Sequence, residues 1–155
     1  MELSLIAVGR LRPAYRELAD EYLKRGRRYW RLDEREVREA GRAPTDPLRR
    51  RQEAERLRHL LPESPFAVAL ARRGESWSSE DLARQLIRWR EAGRHPVFVI
   101  GGSTGLAPDL LDQAGALWSL GPMTLPHELT RVVVLEQLYR AGTILHRHPY
   151  HKGRR

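Results

Sequence analysis

The chain has 155 residues, 41% of them hydrophobic and 31% charged, which suits one folded domain with a real core and argues against disorder. It contains no cysteine, so disulfide frameworks, thiolate zinc sites and thiol nucleophiles are excluded. A net charge of +8 points to an acidic partner, nucleic acid first, because a basic field raises the encounter rate and non-specific affinity for polyanions.

The opening MELSLIAVGRL lacks a basic leader and a small-residue cleavage site, so no signal peptide is expected. No apolar run approaches membrane-spanning length, and the cytoplasm is the simplest address. Leu3 to Val8, closed by Gly9, reads as a buried strand, followed by a helical pattern over about residues 14 to 26. Trp30 to Val37 supplies a further strand. Arg38 to Pro47, with Gly41, Pro44 and Pro47 among its charges, is the expected mobile loop, and helical patterns follow at 46 to 60 and 79 to 92. Phe66 to Leu70, after Pro62 and Pro65, is another strand. Pro96-Val97-Phe98-Val99-Ile100, which stops at Gly101-Gly102, is the clearest one. The apolar run Ala114 to Trp118 leads through a Gly-Pro turn into a helix of about twenty residues, with Pro126 in its first turn and Pro149 as its stop. Alternating strands and helices predict an α/β domain with a mostly parallel sheet.

That last helix is apolar nearly all round, with Leu129, Val132 and Val133 on one side and Val134, Leu138, Ala141 and Leu145 on the other. A helix of this kind is buried on both sides. In so small a domain the second side is expected to face another copy of the chain, giving a homodimer.

Two loops could hold a ligand. FVIGGSTGL puts Gly101, Gly102 and Gly105 directly after a strand and ahead of a helix near Pro108, where parallel α/β sheets bind their ligands. The spacing is neither the dinucleotide fingerprint nor a phosphate-cradling loop. Leu120-Gly121-Pro122-Met123-Thr124-Leu125 offers main-chain groups beside apolar side chains, as needed to read a purine edge while greasing its face. Glu136 and Arg140 are spaced to pair on one helix face. His127 lies in the first helical turn, where the positive dipole end favours a neutral ring. Beyond the helix, His146, His148, Tyr150 and His151 stand among Arg147 and Lys152, titratable and aromatic groups suited to an anionic polymer or a planar base.

IGGSTGL together with SLGPMTLPHELTRVVVLEQLYRAGTILHRHPYHK resembles the ribosomal large subunit pseudouridine methyltransferase H family, of the SPOUT class of methyltransferases. The likeness runs from LSLIAVGRLR to HPYHK, with the T-L-P-H, E-Q-x-Y-R-A and H-P-Y-H-K elements in order. It implies one SPOUT domain over residues 1–155, a parallel sheet flanked by helices with its C-terminal part threaded into a trefoil knot, an exception to the unknotted rule. It also implies a homodimer that uses S-adenosylmethionine to methylate N3 of a pseudouridine in the helix 69 loop of 23S rRNA, within the large subunit or the whole ribosome. By matching motif, the cofactor pocket comprises Leu70, Gly101, Gly102 and Gly105, with Leu120, Gly121, Pro122, Met123, Thr124 and Leu125. His127, Arg140, Tyr150 and His151 match catalytic positions. In this assignment Tyr150 stacks on or bonds the base, Arg140 handles phosphate or carbonyl charge, and His151 or His127 accepts the proton. No metal is implied. Two departures are visible: Ala71 follows Leu70 where relatives carry an acid, and Gly153-Arg154-Arg155 extend past the last motif and add a phosphate contact.

Two other readings compete. A non-catalytic rRNA- or ribosome-binding factor explains the charge but leaves both loops without purpose. A hydrolase using His146, His148 and His151 as metal ligands lacks a carboxylate among them, and Pro149 breaks their helical spacing.

Overall fold

A computed structural model describes residues 1–152. The elements are β1 (Glu2–Val8), α1 (Pro13–Gly26), β2 (Arg31–Val37), α2 (Asp46–Arg58), β3 (Phe66–Ser76), α3 (Ser79–Glu91), β4 (Pro96–Ile100), α4 (Pro108–Asp112), β5 (Ala116–Ser119) and α5 (His127–Leu145), then a 3-10 turn, Pro149–Lys152. The five strands form one parallel sheet in the order β2-β1-β4-β3-β5. The α/β parallel sheet expected from the sequence is therefore present. The phosphate contact expected of Gly153-Arg154-Arg155 lies outside the described residues.

Strand periodicity sorts the core into two layers. Leu3, Leu5, Ala7, Phe98 and Ile100 point to one face and pack with Leu23 of α1, Leu86 of α3 and Leu135 and Leu138 of α5. Ile6, Val8, Val97 and Val99 point to the other and meet Ala54 and Leu57 of α2 and Leu110 of α4. Every residue of β4 is buried, as a central parallel strand covered on both faces should be. Helix starts follow local chemistry. Thr45 caps α2 by accepting from the Leu48 N–H, and Ser78 with Asp81 forms a capping box at α3.

Four features differ from the sequence expectation. β3 continues past Leu70 to Ser76, but Leu70 and Glu75 both sit opposite Trp118, so residues 71–74 are extruded as a bulge at the sheet edge. Trp77 stacks on Trp118 with ring centroids 5.6 Å apart and fixes the strand beyond the bulge. The loop after β2, expected to be mobile, is tied at three points: Glu39 pairs with Arg49, the Ala40 N–H donates to Glu53, and Arg56 donates to the Arg38 carbonyl. α5 ends at Leu145 with His146 beyond it, as expected, but the stop is made not by Pro149 but by Arg147, which turns to φ 54°, with the His148 N–H reaching back to the Thr143 carbonyl in a Schellman closure. Finally, Val132 faces the monomer core with Val134 and Leu138, while Leu129, Val133, Glu136, Arg140 and Ile144 form a half-buried stripe on the other side.

Arg131 is the largest fully buried side chain. It donates to Glu36 at 2.6 Å and to the Gly9 carbonyl at 2.5 Å, stitching α5 to the ends of β1 and β2. Only the Arg131 end is buried, Glu36 being exposed, so it is the guanidinium that would be left without a partner away from water if Glu36 were removed.

Candidate functional site

The carboxyl ends of all five parallel strands lie at one edge, and there the segments leaving β3, β4 and β5 enclose a cleft of about 1090 Å³. The extruded bulge of β3 forms one wall, the glycine turn after β4 a second, and the loop between β5 and α5 a third. A smaller recess of about 450 Å³ lies between β1, β2 and the end of α1, lined by Ser4, Trp30 and Arg31 without any glycine turn.

Leu70, Gly101, Gly102, Gly105, Leu120, Gly121, Met123, Thr124, Leu125 and His127 all line the large cleft. Pro122 does not, although its neighbours on both sides do. Sequence reading missed the polar Arg72, Arg73, Ser103, Thr104, Asp112 and Thr130, which also line it. Arg72 and Arg73 lie in the extruded segment and have no recognisable motif. Ser103 and Thr104 stand inside the glycine turn, which was the available signal. Arg72 donates to the Thr124 hydroxyl, so two walls touch across the mouth.

The glycine turn is held by main-chain bonding: the Gly105 N–H donates to the Gly102 carbonyl at 3.0 Å, and Arg50 donates to the Thr104 carbonyl at 3.2 Å. Among the described residues the buried Thr104 hydroxyl has no hydrogen-bond partner. Apolar Leu70, Ile100, Leu106, Leu117 and Leu125 alternate with polar Ser103, Thr104, Asp112 and Thr124 around the cleft. This composition fits a flat heterocycle joined to a polar, charged arm. Met123, 74% exposed, stands at the rim as an adaptable cover.

α5 begins at the cleft. Pro126 precedes the helix, and His127 and Thr130 present its first turn to the cavity. Glu128 turns the other way and accepts from the Arg12 backbone N–H at 2.7 Å and from Arg12 Nε at 2.8 Å. The backbone hydrogen bond from Arg12, more than the ion pair, holds the Glu128 carboxyl below its ordinary pKa. A depressed carboxylate stabilises the fold above its unfolded pKa, and that stability is lost as pH falls through the folded value. Glu128→Gln is therefore expected to be less stable than wild type at pH 7, with the gap closing towards about pH 3; urea unfolding at both pH values measures it.

Arg140, Tyr150 and His151 stand elsewhere. None lines the cleft; Arg140 is about 20 Å along the α5 axis from His127 at helical rise. There they form their own cluster. Arg140 donates to Glu136 through Nη2 at 2.6 Å and Nε at 2.9 Å, lies 4.9 Å above the Tyr150 ring, and reaches the His151 carbonyl at 3.5 Å. The Tyr150 hydroxyl donates to Glu136 at 3.1 Å, and its ring packs 4.6 Å from that of Tyr139. Burial, a hydrogen bond with Tyr22 and the negative charge of Glu136 push the Tyr150 phenol well above its usual pKa, so it remains a neutral hydroxyl. Partial burial opposes the Arg140 charge, but Glu136 outweighs it and raises the pKa. The structure thus brings the predicted cofactor residues together, Pro122 excepted, and divides the predicted catalytic residues between two ends of one helix. Among the described residues no group of three or more His, Asp or Glu is arranged to hold a metal, and no helix is long and apolar enough to cross a membrane.

Comparison with known proteins bears on what this cleft belongs to. A family model described as "Predicted SPOUT methyltransferase" matches residues 1–151. The ribosomal RNA large subunit methyltransferase H of Nitrosococcus oceani is 43% identical over 99% of both chains. The protein of that name from Xylella fastidiosa (strain 9a5c) is 50% identical over 102 residues, covering 66% of this chain and 65% of its own. The solved SpoU methyltransferase AviRb from Streptomyces viridochromogenes, in complex with AdoMet, aligns at TM-score 0.46 and 11% identity over 90% of this chain and 57% of that one, too slight a likeness to bear on function. Matched along almost its whole length by the family model and at 43% identity by a full-length relative, the chain belongs to the ribosomal RNA large subunit methyltransferase H family of SPOUT methyltransferases.

Proposed function

We propose that this protein is an S-adenosylmethionine-dependent methyltransferase that methylates N3 of a pseudouridine in the helix 69 loop of 23S rRNA, acting on the assembled large subunit or ribosome as a cytoplasmic homodimer. The observation that carries the reading is the cleft itself: two unrelated loops, 101–105 and 120–125, converge at the carboxyl edge of the sheet to make one apolar slot bordered by polar groups. Family membership supports methyl transfer, and the relatives' name supports a large-subunit rRNA substrate. The trefoil knot expected of the class belongs to the same proposal.

In this reading the main chain and leucines of 120–125 hold the adenine, the glycine turn admits the ribose and amino-acid arm, and Asp112 and Arg73 face the arm's charges. When bound, the cofactor supplies an activated methyl group, so the protein mainly aligns it with the nucleophilic nitrogen and removes the N3 proton. His127 stands at the cleft for that proton. Exposed Arg10, in the loop after β1, and Arg72 on the extruded bulge offer phosphate contacts on the same edge.

The tail cluster enters from the partner. Leu129, Val133, Arg140 and Ile144 are half-buried in the monomer and share one stripe of α5. Two such stripes packed antiparallel about a two-fold axis bring Arg140, Tyr150 and His151 of one protomer towards the His127 end of the other. Each active site is then composite.

The test is methyl transfer from S-adenosylmethionine to ribosomes lacking the modification, with free 23S rRNA in parallel and the methylated nucleotide located by mass spectrometry. Methylation at the helix 69 pseudouridine of ribosomes is the expected result. An active cofactor-binding protein that methylates another site would redirect the substrate assignment, and absence of both binding and transfer would favour an rRNA-binding factor.

A further inference from the structure

We propose that Glu39 is a positioning residue for His127: its carboxylate selects the imidazole tautomer protonated on Nε2 and so leaves Nδ1 as the proton acceptor for methyl transfer. The proposal rests on the function proposed above for the cleft.

Glu39 lies in the loop after β2, far from His127 in sequence, and its carboxylate is held from several directions. Oε2 accepts from Arg49 Nη2 at 3.0 Å. Arg49 itself sits one helical turn before Glu53, with Nε 3.7 Å from the buried Glu53 carboxylate. Glu53 accepts from the N–H of Ala40, the residue next to Glu39, at 3.2 Å, which fixes the loop backbone. On the remaining side is Gly9, at φ 95°, where a Cβ would lie 2.8 Å from Glu39 Oε1. Glycine at this position leaves the volume that the carboxylate fills. The oxygen left over, Oε1, faces His127 Nε2 at 3.6 Å.

The charges nearest His127 along α5, and the arginine behind Glu39, are already engaged. Glu128, next to His127 on α5, is occupied by Arg12 from the loop after β1. Arg131, one turn further on, is committed to Glu36 of β2 and the Gly9 carbonyl. Arg49, from α2, lies behind Glu39 and bonds its other oxygen. Glu39 Oε1 is therefore the acceptor aimed at the cleft-wall histidine.

A carboxylate facing one ring nitrogen fixes which nitrogen carries the proton and keeps the ring from turning. Separations of this kind tighten when the reacting complex forms. As the N3 lone pair bonds the methyl carbon, the S–C bond breaks with its electron pair going to sulfur, and the N3 proton passes to Nδ1. The resulting imidazolium lies beside the Glu39 carboxylate and then releases its proton to water.

Glu39→Gln gives a sharp test. Arg49 retains the amide oxygen, so the amide NH2 faces the ring and favours the opposite tautomer. In protein labelled with 15N in histidine, measured without substrate, the His127 ring is expected to show Nε2–H in wild type and to change towards Nδ1–H in Glu39→Gln. In methyl transfer, kcat of Glu39→Gln is expected to fall about 100-fold with KM for S-adenosylmethionine nearly unchanged. His127→Ala is expected to absorb the effect, so the double variant is no slower than His127→Ala alone. An unchanged ring tautomer, or losses that add in the double variant, would overturn the proposal. If wild type methylates no RNA, the proposed function fails, while the ring tautomer still decides whether Glu39 controls His127.

Discussion

Gly101→Val is expected to abolish S-adenosylmethionine binding while leaving the fold intact. A Cβ on Gly101 would stand 2.6 Å from the Gly105 carbonyl carbon, 2.8 Å from its oxygen and 2.9 Å from the Leu106 nitrogen. All three are main-chain atoms, so no side chain can swing aside and the turn itself must open. Opening it breaks the bond from the Gly105 N–H to the Gly102 carbonyl and moves Ser103 and Thr104, which line the cleft. A loss of at least about 100-fold in affinity is expected, equivalent to about 2.7 kcal/mol. Isothermal titration measures it, with circular dichroism and urea unfolding to establish that the variant is folded and Gly101→Ala as a milder step in the same direction. Gly41→Ala is the control, because its Cβ would meet nothing within 4 Å. Wild-type affinity in Gly101→Val would remove the glycine turn from the cofactor site.

The cleft was readable because its two loops are local. An apolar strand that stops at paired glycines, and an apolar loop ahead of a helix start, are written in consecutive residues, and the parallel topology then carries both to the same sheet edge. What was not readable depends on long-range register. Nothing in Ala71-Arg72-Arg73-Gly74 announces that Leu70 and Glu75 share Trp118 as partner and that the residues between are pushed into the cleft wall. The phase of Val132 was misread because hydrophobicity covers α5 almost evenly, leaving its inward face to be decided by α1 and the sheet. The stop of α5 was assigned to Pro149 because a helix that closes on a non-glycine residue, Arg147, shows no signal in composition. Glu39 passed unnoticed for the same reason: its partners Arg49 and His127 and its cradle at Gly9 come from three different elements.

Mixed dimers are expected to recover activity that each parent has largely lost. The family resemblance grouped His127, Arg140, Tyr150 and His151 as one catalytic set, yet within a chain His127 lines the cleft and the other three cluster with Glu136 near the far end of α5. A site assembled from one protomer's cleft and its partner's tail reconciles these observations. Under that arrangement His127→Ala disables the cleft half and Arg140→Ala the tail half, so each homodimer keeps only a small residual rate. A heterodimer of the two variants carries one site with both lesions and one with neither. Equal mixing after dissociation should therefore restore about a quarter of wild-type activity through the intact sites of a randomly reassorted two-fold dimer. Differently tagged chains purified through both tags would raise the recovery to about half. If cleft and tail instead served the same protomer, every site in the mixture would carry one lesion and no activity would return. The same mixing with Tyr150→Ala in place of Arg140→Ala tests whether the tyrosine acts from that partner position. Its neutral hydroxyl and ring already sit against Arg140 and Glu136 within one chain, so in that arrangement the tail needs no partner to set its geometry.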